Sequence, residues 1–221
     1  IIVSGGIDLS VGSAIAFTSV VGALLIQRGW SAGAVVGAVV AAGGGIGLLN
    51  GAAIAGLRMT PFIITLGTLG VVRGASKWLA NNETVNYDAS AINGWMTTPD
   101  PFGWSLPAGA WVAVVAAVAT AVVLRQTVFG RHVFAIGSSE ATARLCGVPT
   151  VRTKILIYAV AGGFFGLAGL MQLSRLRQGD PTVAVGLELD IIAAVIIGGA
   201  SLSGGVGTVL GSMIGALIMA V

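Results

Sequence analysis

Asp8 stands among Gly5, Gly6, Ser10, Gly12 and Ser13, and the chain beyond Val11 is strongly apolar. A carboxylate at membrane depth is expensive, and glycines and hydroxyls around it mark a helix break or a solute path rather than lipid contact. Two duties are open to Asp8. It can pin the helix start at Leu9 to Ser13, with Ser10 and Ser13 bonding freed backbone groups, or it can meet a solute, proton or ion directly. A related stretch lies near the other end, where Glu188 and Asp190 open an apolar run and Ser201 and Ser203 sit in its interruption at Ser201 to Gly207. The acids suit helix capping, or an external face or gate. The two serines can offer hydroxyls to a neutral, hydroxyl-rich solute without adding charge, or simply satisfy local backbone.

The two stretches echo each other. Pairing residues 5–26 with 198–219 gives nine identities in 22 positions, among them Gly5 with Gly198, Leu9 with Leu202, Ser10 with Ser203 and Gly22 with Gly215. Unrelated segments of this Gly/Ala-rich kind would share roughly two. Interrupted apolar segments in corresponding places of two halves point to a transporter, and we expect the copies to be inverted.

Other chemistries drop out. No G-x-x-x-x-G-K-[ST] phosphate loop occurs, so ATP has no site on this chain. The single Cys146 and single His132 leave no disulfide, thiolate cluster or Ser/His/Asp set. Catalytic residues and metal ligands are therefore expected to be none, and energy for transport must come from a partner or an ion gradient.

The elements around these residues are membrane spans. Of 221 residues 56% are apolar and 9% charged, and the mean hydropathy is +0.98; soluble domains carry about 25% charged residues. The 35 glycines suit close helix packing in lipid. The excess of 11 basic over 8 acidic residues reports orientation and is no sign of nucleic acid. Apolar segments run from Val11 to Gln27, from Ala32 to Leu57 (tilted or kinked at Gly43–Gly45 and Asn50–Gly51), from Thr60–Pro61 to Leu79, from Ala108 to Leu124 and from Ile155 to Leu173. Residues 190–200 are too short to span, and a last run starts at Thr208. Thr60 and Pro61 read as a hydroxyl cap with proline in the first turn. Arg73 and Lys77, four apart, are read as snorkelling to the interface or, failing that, lining the pathway.

Residues 80–107 carry acids and no Lys or Arg and are expected outside; residues 125–154 carry six basic groups against Glu140 and are expected in the cytoplasm. In that loop Ser138 or Ser139 can cap a short helix, Glu140 suits its positive end, Arg144 stands four residues on, and Gly147 with Pro149 ends it. Such a helix can dock into a partner or pack on its own bundle. The chain is expected to be one transmembrane domain over 1–221, cut at both ends, with all-α fold: a polytopic helical bundle with broken helices.

Glu140–Ala141 followed by Gly147 resembles the cytoplasmic coupling loop of ABC importer permeases. Gly5-Gly6-Ile7-Asp8-Leu9-Ser10-Val11-Gly12-Ser13, Thr60-Pro61-Phe62-Ile63 with Thr65-Leu66-Gly67, Gly130-Arg131 with Ala135-Ile136-Gly137, and Glu188 to Gly199 with Ser203-Gly204-Gly205 are similar to ribose/xylose-type sugar permeases. Cys146 departs from the small, serine-like residue expected there. The resemblance implies a multi-pass permease of the bacterial inner membrane that works as a homodimer with a second permease copy. Its other partners would be two ABC ATPase subunits carrying ATP and Mg and a periplasmic sugar-binding protein. It implies coupling to the ATPase through Glu140, Ala141, Arg144, Leu145 and Gly147, and a pathway or helix breaks at Gly5, Gly6, Asp8, Ser10, Ser13, Phe62, Thr65, Ser201 and Ser203. Permeases of the same type for branched-chain amino acids or a signal molecule, and an ion-coupled secondary transporter using Asp8, are the alternatives.

Overall fold

The computed structural model describes residues 1–88, 92–94 and 107–220, so most of the expected external loop at 80–107 lies outside the described residues. A short 3-10 turn at Ile2–Ser4 leads through the first glycine-rich stretch into α1 (Val11–Gln27), followed by α2 (Ala32–Leu57) and α3 (Pro61–Leu79). After these come α4 (Ala108–Gln126), α5 (Val128–Ser138), α6 (Glu140–Leu145), α7 (Thr150–Leu176), α8 (Leu187–Ile197) and α9 (Val209–Met219). The chain is an all-α, multi-pass membrane protein. Among the described residues, α2, α4 and α7 are long and apolar enough to cross a bilayer, while α1 and α9 are shorter apolar helices.

Glycine decides how α2 meets α7. Gly43, Gly47 and Gly51 recur every four residues on α2, as do Gly162 and Gly166 on α7. A methyl group at Gly43 would strike the Gly162 carbonyl, one at Gly47 the Tyr158 carbonyl and one at Gly162 the Gly43 carbonyl. The two helices therefore touch backbone to backbone and antiparallel, the contact that gives helices dispersion energy in a solvent as apolar as they are. The kink expected at Gly43–Gly45 and Asn50–Gly51 is not needed: α2 is one unbroken helix, and Gly43 and Gly51 face α7.

α1 lies on both helices and runs parallel to α7, with Gly169 under Ile15 and Thr18 and Leu173 beside Gly22. At this end Val20, Ala23, Val35, Val39, Leu170 and Leu173 form the main apolar cluster. A two-residue antiparallel ladder closes it, pairing β1 (Val85–Asn86) with β2 (Gln178–Gly179). From β2 the chain turns back along α1: Gly179 packs on Val20 and Ala23, and the Ala184 carbonyl packs on Gly12. α8 thus begins beside the first turn of α1. It ends in a turn whose Ser203 carbonyl and Gly205 amide reach Gly5 and Val3. α9 pairs antiparallel with α8 through Gly198 on Gly211 and Gly215 on Ala194.

These contacts correct the expected inversion. α8 descends against α1 and α9 returns, so α1 and α9 leave their breaks in the same sense. What the paired segments 5–26 and 198–219 repeat is a break feeding a helix.

Candidate functional site

The first break is held by a chain of buried polar groups. Asp8 Oδ1 accepts from the Ser10 backbone N–H at 2.8 Å and from the Ser10 hydroxyl at 2.6 Å. Ser10 Oγ in turn accepts from Asn50 Nδ2 at 3.0 Å, and Asn50 Oδ1 accepts from the Thr68 hydroxyl at 2.6 Å. Ser13 Oγ donates to the Ser10 carbonyl at 2.8 Å, while Thr65 Oγ1 donates to the Pro61 carbonyl at 2.9 Å and accepts from the Leu9 amide at 3.1 Å. Asp8 therefore pins the residue before α1 rather than capping α1 itself, since its bonds go to Ser10, and Ser10 at the cap position makes no side-chain capping bond to the helix. Asp8, Ser10, Ser13, Asn50 and Thr65 are all buried. The network ties α1, α2 and α3 to one another through buried polar groups.

Asn50 and Thr68 carry the middle of this network, yet sequence reading gave Asn50 only a place in an expected kink. A lone amide in a 26-residue apolar helix was the available signal. Phe62 points away from the bundle, half exposed. Thr60 makes no side-chain cap on α3; Pro61 occupies the first helical turn as expected. Arg73 neither snorkels nor stands free: its Nη1 donates to the Pro181 and Val183 carbonyls at 3.0 and 2.7 Å, fastening the segment before α8.

The second break is built from turn geometry. Gly199, Gly204 and Gly205 have φ of 87°, 86° and 77°, values that a side chain would strain. Ser201 Oγ accepts from the Ser203 amide at 3.2 Å, a local turn bond. Gly186 is the cap residue of α8, so neither Glu188 nor Asp190 caps it, although both stand in its first turn. Asp190 is exposed; Glu188 is half-buried and turns inward, its Oε2 lying 2.7 Å from where a Gly12 methyl would be.

The two breaks meet. The Gly205 amide donates to the Val3 carbonyl at 2.8 Å, and a methyl at Gly204 would lie 2.8 Å from the Gly5 nitrogen. Gly137 of α5 closes the same junction, where a methyl would strike the Val3 carbonyl and sit 2.5 Å from the Gly205 nitrogen. The expected cytoplasmic segment 125–154 is thus more helical than its sequence indicated. Thr127 caps α5 by accepting from the Gly130 amide at 3.1 Å, and α5 carries Gly137 to the breaks.

One residue past α5 stands α6, a complete helix of six residues. Ser139 caps it, accepting from the Thr142 amide at 3.3 Å. At the other end the Gly147 amide bonds the Arg144 carbonyl at 3.1 Å and the Val148 amide the Ala143 carbonyl at 3.0 Å, a Schellman closure with Gly147 at φ 82°. Glu140 bonds Arg144 at 3.1 Å and Lys154 of α7 at 2.6 Å. Ala141, Arg144 and Leu145 are exposed, and α6 forms one wall of an open cleft of about 1160 Å³ whose other side is the α2–α3 turn at Arg58 and Met59.

Lys154 holds the Glu140 carboxyl below the usual carboxylate range, against some desolvation. A depressed carboxylate stabilises above its unfolded value of about 4.3 and loses that contribution as pH falls through its folded value. The α6–α7 tie is therefore intact at neutral pH and released in acid. A spin label on Cys146, the sole cysteine and exposed, is expected to gain mobility as pH falls through the depressed folded value of Glu140. In Glu140→Gln the label is expected to be mobile already at neutral pH and to change little on acidification.

A bundle with two unwound segments that meet each other, and a closed helix displayed at one face, defines a membrane permease. Over residues 1–221 the chain matches the family described as branched-chain amino acid transport system / permease component, and it belongs to that family. It is 37% identical to the ribose import permease protein of Escherichia coli over 99% of this chain and 68% of that one. It is 40% identical to an L-arabinose ABC transporter permease protein of Azospirillum brasilense over 97% and 62%. Against the fructose import permease protein of Bifidobacterium longum the identity is 36% over 100% and 67%. The chain thus spans about two thirds of the length of these relatives. No solved structure matches it.

Proposed function

We propose that the chain is the membrane-spanning part of an ATP-binding-cassette importer that moves a monosaccharide across the bacterial inner membrane. ATP and Mg belong to partner ATPase subunits that dock on α6, a periplasmic binding protein delivers the sugar, and a second copy of the permease completes the pathway. The observation that carries this reading is α6 itself: capped at both ends, tied to α7 by Glu140 and Lys154, and presenting Leu145 at 89% exposure. An apolar side chain so exposed at the tip of a rigid helix suits insertion into a groove of another protein. The ribose, arabinose and fructose permeases among its relatives support a sugar as the solute.

The solute path follows the breaks. Asp8 Oδ1, Ser10 and Thr65 are already committed to backbone or to neighbouring side chains, so a passing sugar meets few free partners and is held weakly, which favours release. Glu188 and Asp190, in the first turn of α8, would shape the outer side of the path.

The test uses the full-length protein with its ATPase and binding protein in proteoliposomes. Wild type is expected to retain the ATPase on purification and to take up sugar only with ATP. Glu140→Ala with Arg144→Ala is expected to lose both. Uptake driven by a proton or sodium gradient without the ATPase would instead make the chain an ion-coupled carrier.

A further inference from the structure

Two buried oxygens near the first break have no hydrogen-bond partner among the described residues: Asp8 Oδ2 and the Tyr158 hydroxyl. One is an acceptor and the other a donor. Tyr158 lies on α7 with its Cβ against Gly51 of α2, and its hydroxyl reaches the break, where a methyl at Gly6 would sit 2.5 Å from the phenol oxygen. Asp8 is two residues further on. Buried polar groups left unpaired cost stability, so an acceptor on Asp8 and a donor seated over Gly6, two residues before it, are suited to pair in another arrangement of the same elements. Tyr158 also stands one helical turn beyond Lys154, the residue that ties α7 to Glu140 of α6.

We infer that Tyr158 is the positioning residue through which α7 moves the first break: when α7 shifts against residues 5–10, the phenol leaves its seat over Gly6 and donates to Asp8 Oδ2. The movement of α6 then reaches Asp8, and through Ser10, Asn50 and Thr68 it reaches α2 and α3. This rests on the importer reading above. It assigns one hydroxyl to the step between the docking helix and the pathway.

The experiment compares sugar taken up per ATP hydrolysed in reconstituted full-length complexes of wild type, Tyr158→Phe, Gly6→Ala and the double variant. Failure of the wild type to couple uptake to ATP would overturn the importer reading itself. Given a coupled wild type, Tyr158→Phe is expected to assemble, to melt no lower than wild type, and to lose roughly five-fold or more in uptake per ATP, the lower end of a coupling between sites. A purely structural phenol would instead lower the melting temperature and leave the ratio alone. Gly6→Ala is expected to lose uptake or assembly, and adding Tyr158→Phe is expected to restore it to the level of Tyr158→Phe alone, because the obstructing oxygen is gone. A ratio within two-fold of wild type for Tyr158→Phe, or a double variant no better than Gly6→Ala, overturns the proposal.

Discussion

Gly162→Val is expected to disrupt the bundle, whereas Gly37→Ala, only a few turns away on the partner helix, is expected to leave it intact or slightly stabilised. The added side chain at position 162 would have to occupy space held by the Gly43 carbonyl, with the Gly47 nitrogen at 2.9 Å from its Cβ. These are backbone atoms and cannot rotate away, so α2 and α7 must separate. Overpacking of a well-packed core costs about 1–3 kcal/mol and more where no relaxation is open; here the loss runs along the whole crossing, and about 3 kcal/mol is a lower bound. At Gly37 a methyl meets nothing within 4 Å, and the helix gains the usual advantage of alanine, about 0.5–1 kcal/mol. Thermal unfolding of the purified protein in one detergent, read by tryptophan fluorescence, separates the two. Equal melting temperatures for Gly162→Val and wild type would mean that the backbone contact does not hold the helices.

That contrast also marks where the sequence was legible. The bounds of α1, α2 and α3 could be read directly because apolar runs ended at Arg28, Arg58 and Ala80 with nothing competing. The helix α6 was readable for the same local reason: Ser139, Glu140, Arg144 and Gly147 each carry their own capping or pairing chemistry. What could not be read is what glycine does at a distance. Gly43 and Gly37 are the same residue in the same helix, and only the position of α7 makes one a contact and the other a vacancy in lipid. Likewise Asn50 and Tyr158 belong to the first break only through tertiary contact, and Lys154 finds Glu140 across a turn that the loop sequence left open. Arg73 was judged against water and lipid, the two surroundings a sequence supplies, and found a third in the Pro181 and Val183 carbonyls. The echo between 5–26 and 198–219 was visible, but its sense was not, because the direction of a helix is set by its neighbours.

Gly137→Ala tests what the echo is for, and on the importer reading it is expected to abolish most sugar uptake while leaving the ATPase bound. In an isolated helix this change would help, by about 0.8–1 kcal/mol of helix propensity. In α5 the methyl instead enters the junction of the two breaks, against the Val3 carbonyl and 2.5 Å from the Gly205 nitrogen, so the Gly205 to Val3 hydrogen bond must open. Ser139, beyond Ser138 at the edge of this junction, separates it from Glu140, so α6 keeps its cap, its Schellman closure and its exposed Leu145. Gly147→Ala gives the opposite defect: it leaves the junction alone but forces a side chain into φ 82°, at roughly 1–2 kcal/mol, and opens the end of α6. Association of the ATPase and uptake, measured on both variants, should therefore dissociate, with Gly137→Ala binding without transport and Gly147→Ala weakened in binding. Normal uptake by Gly137→Ala would show that the two breaks can part without consequence. In that case their shared glycines, leucine and serine serve only the folding of each break by itself.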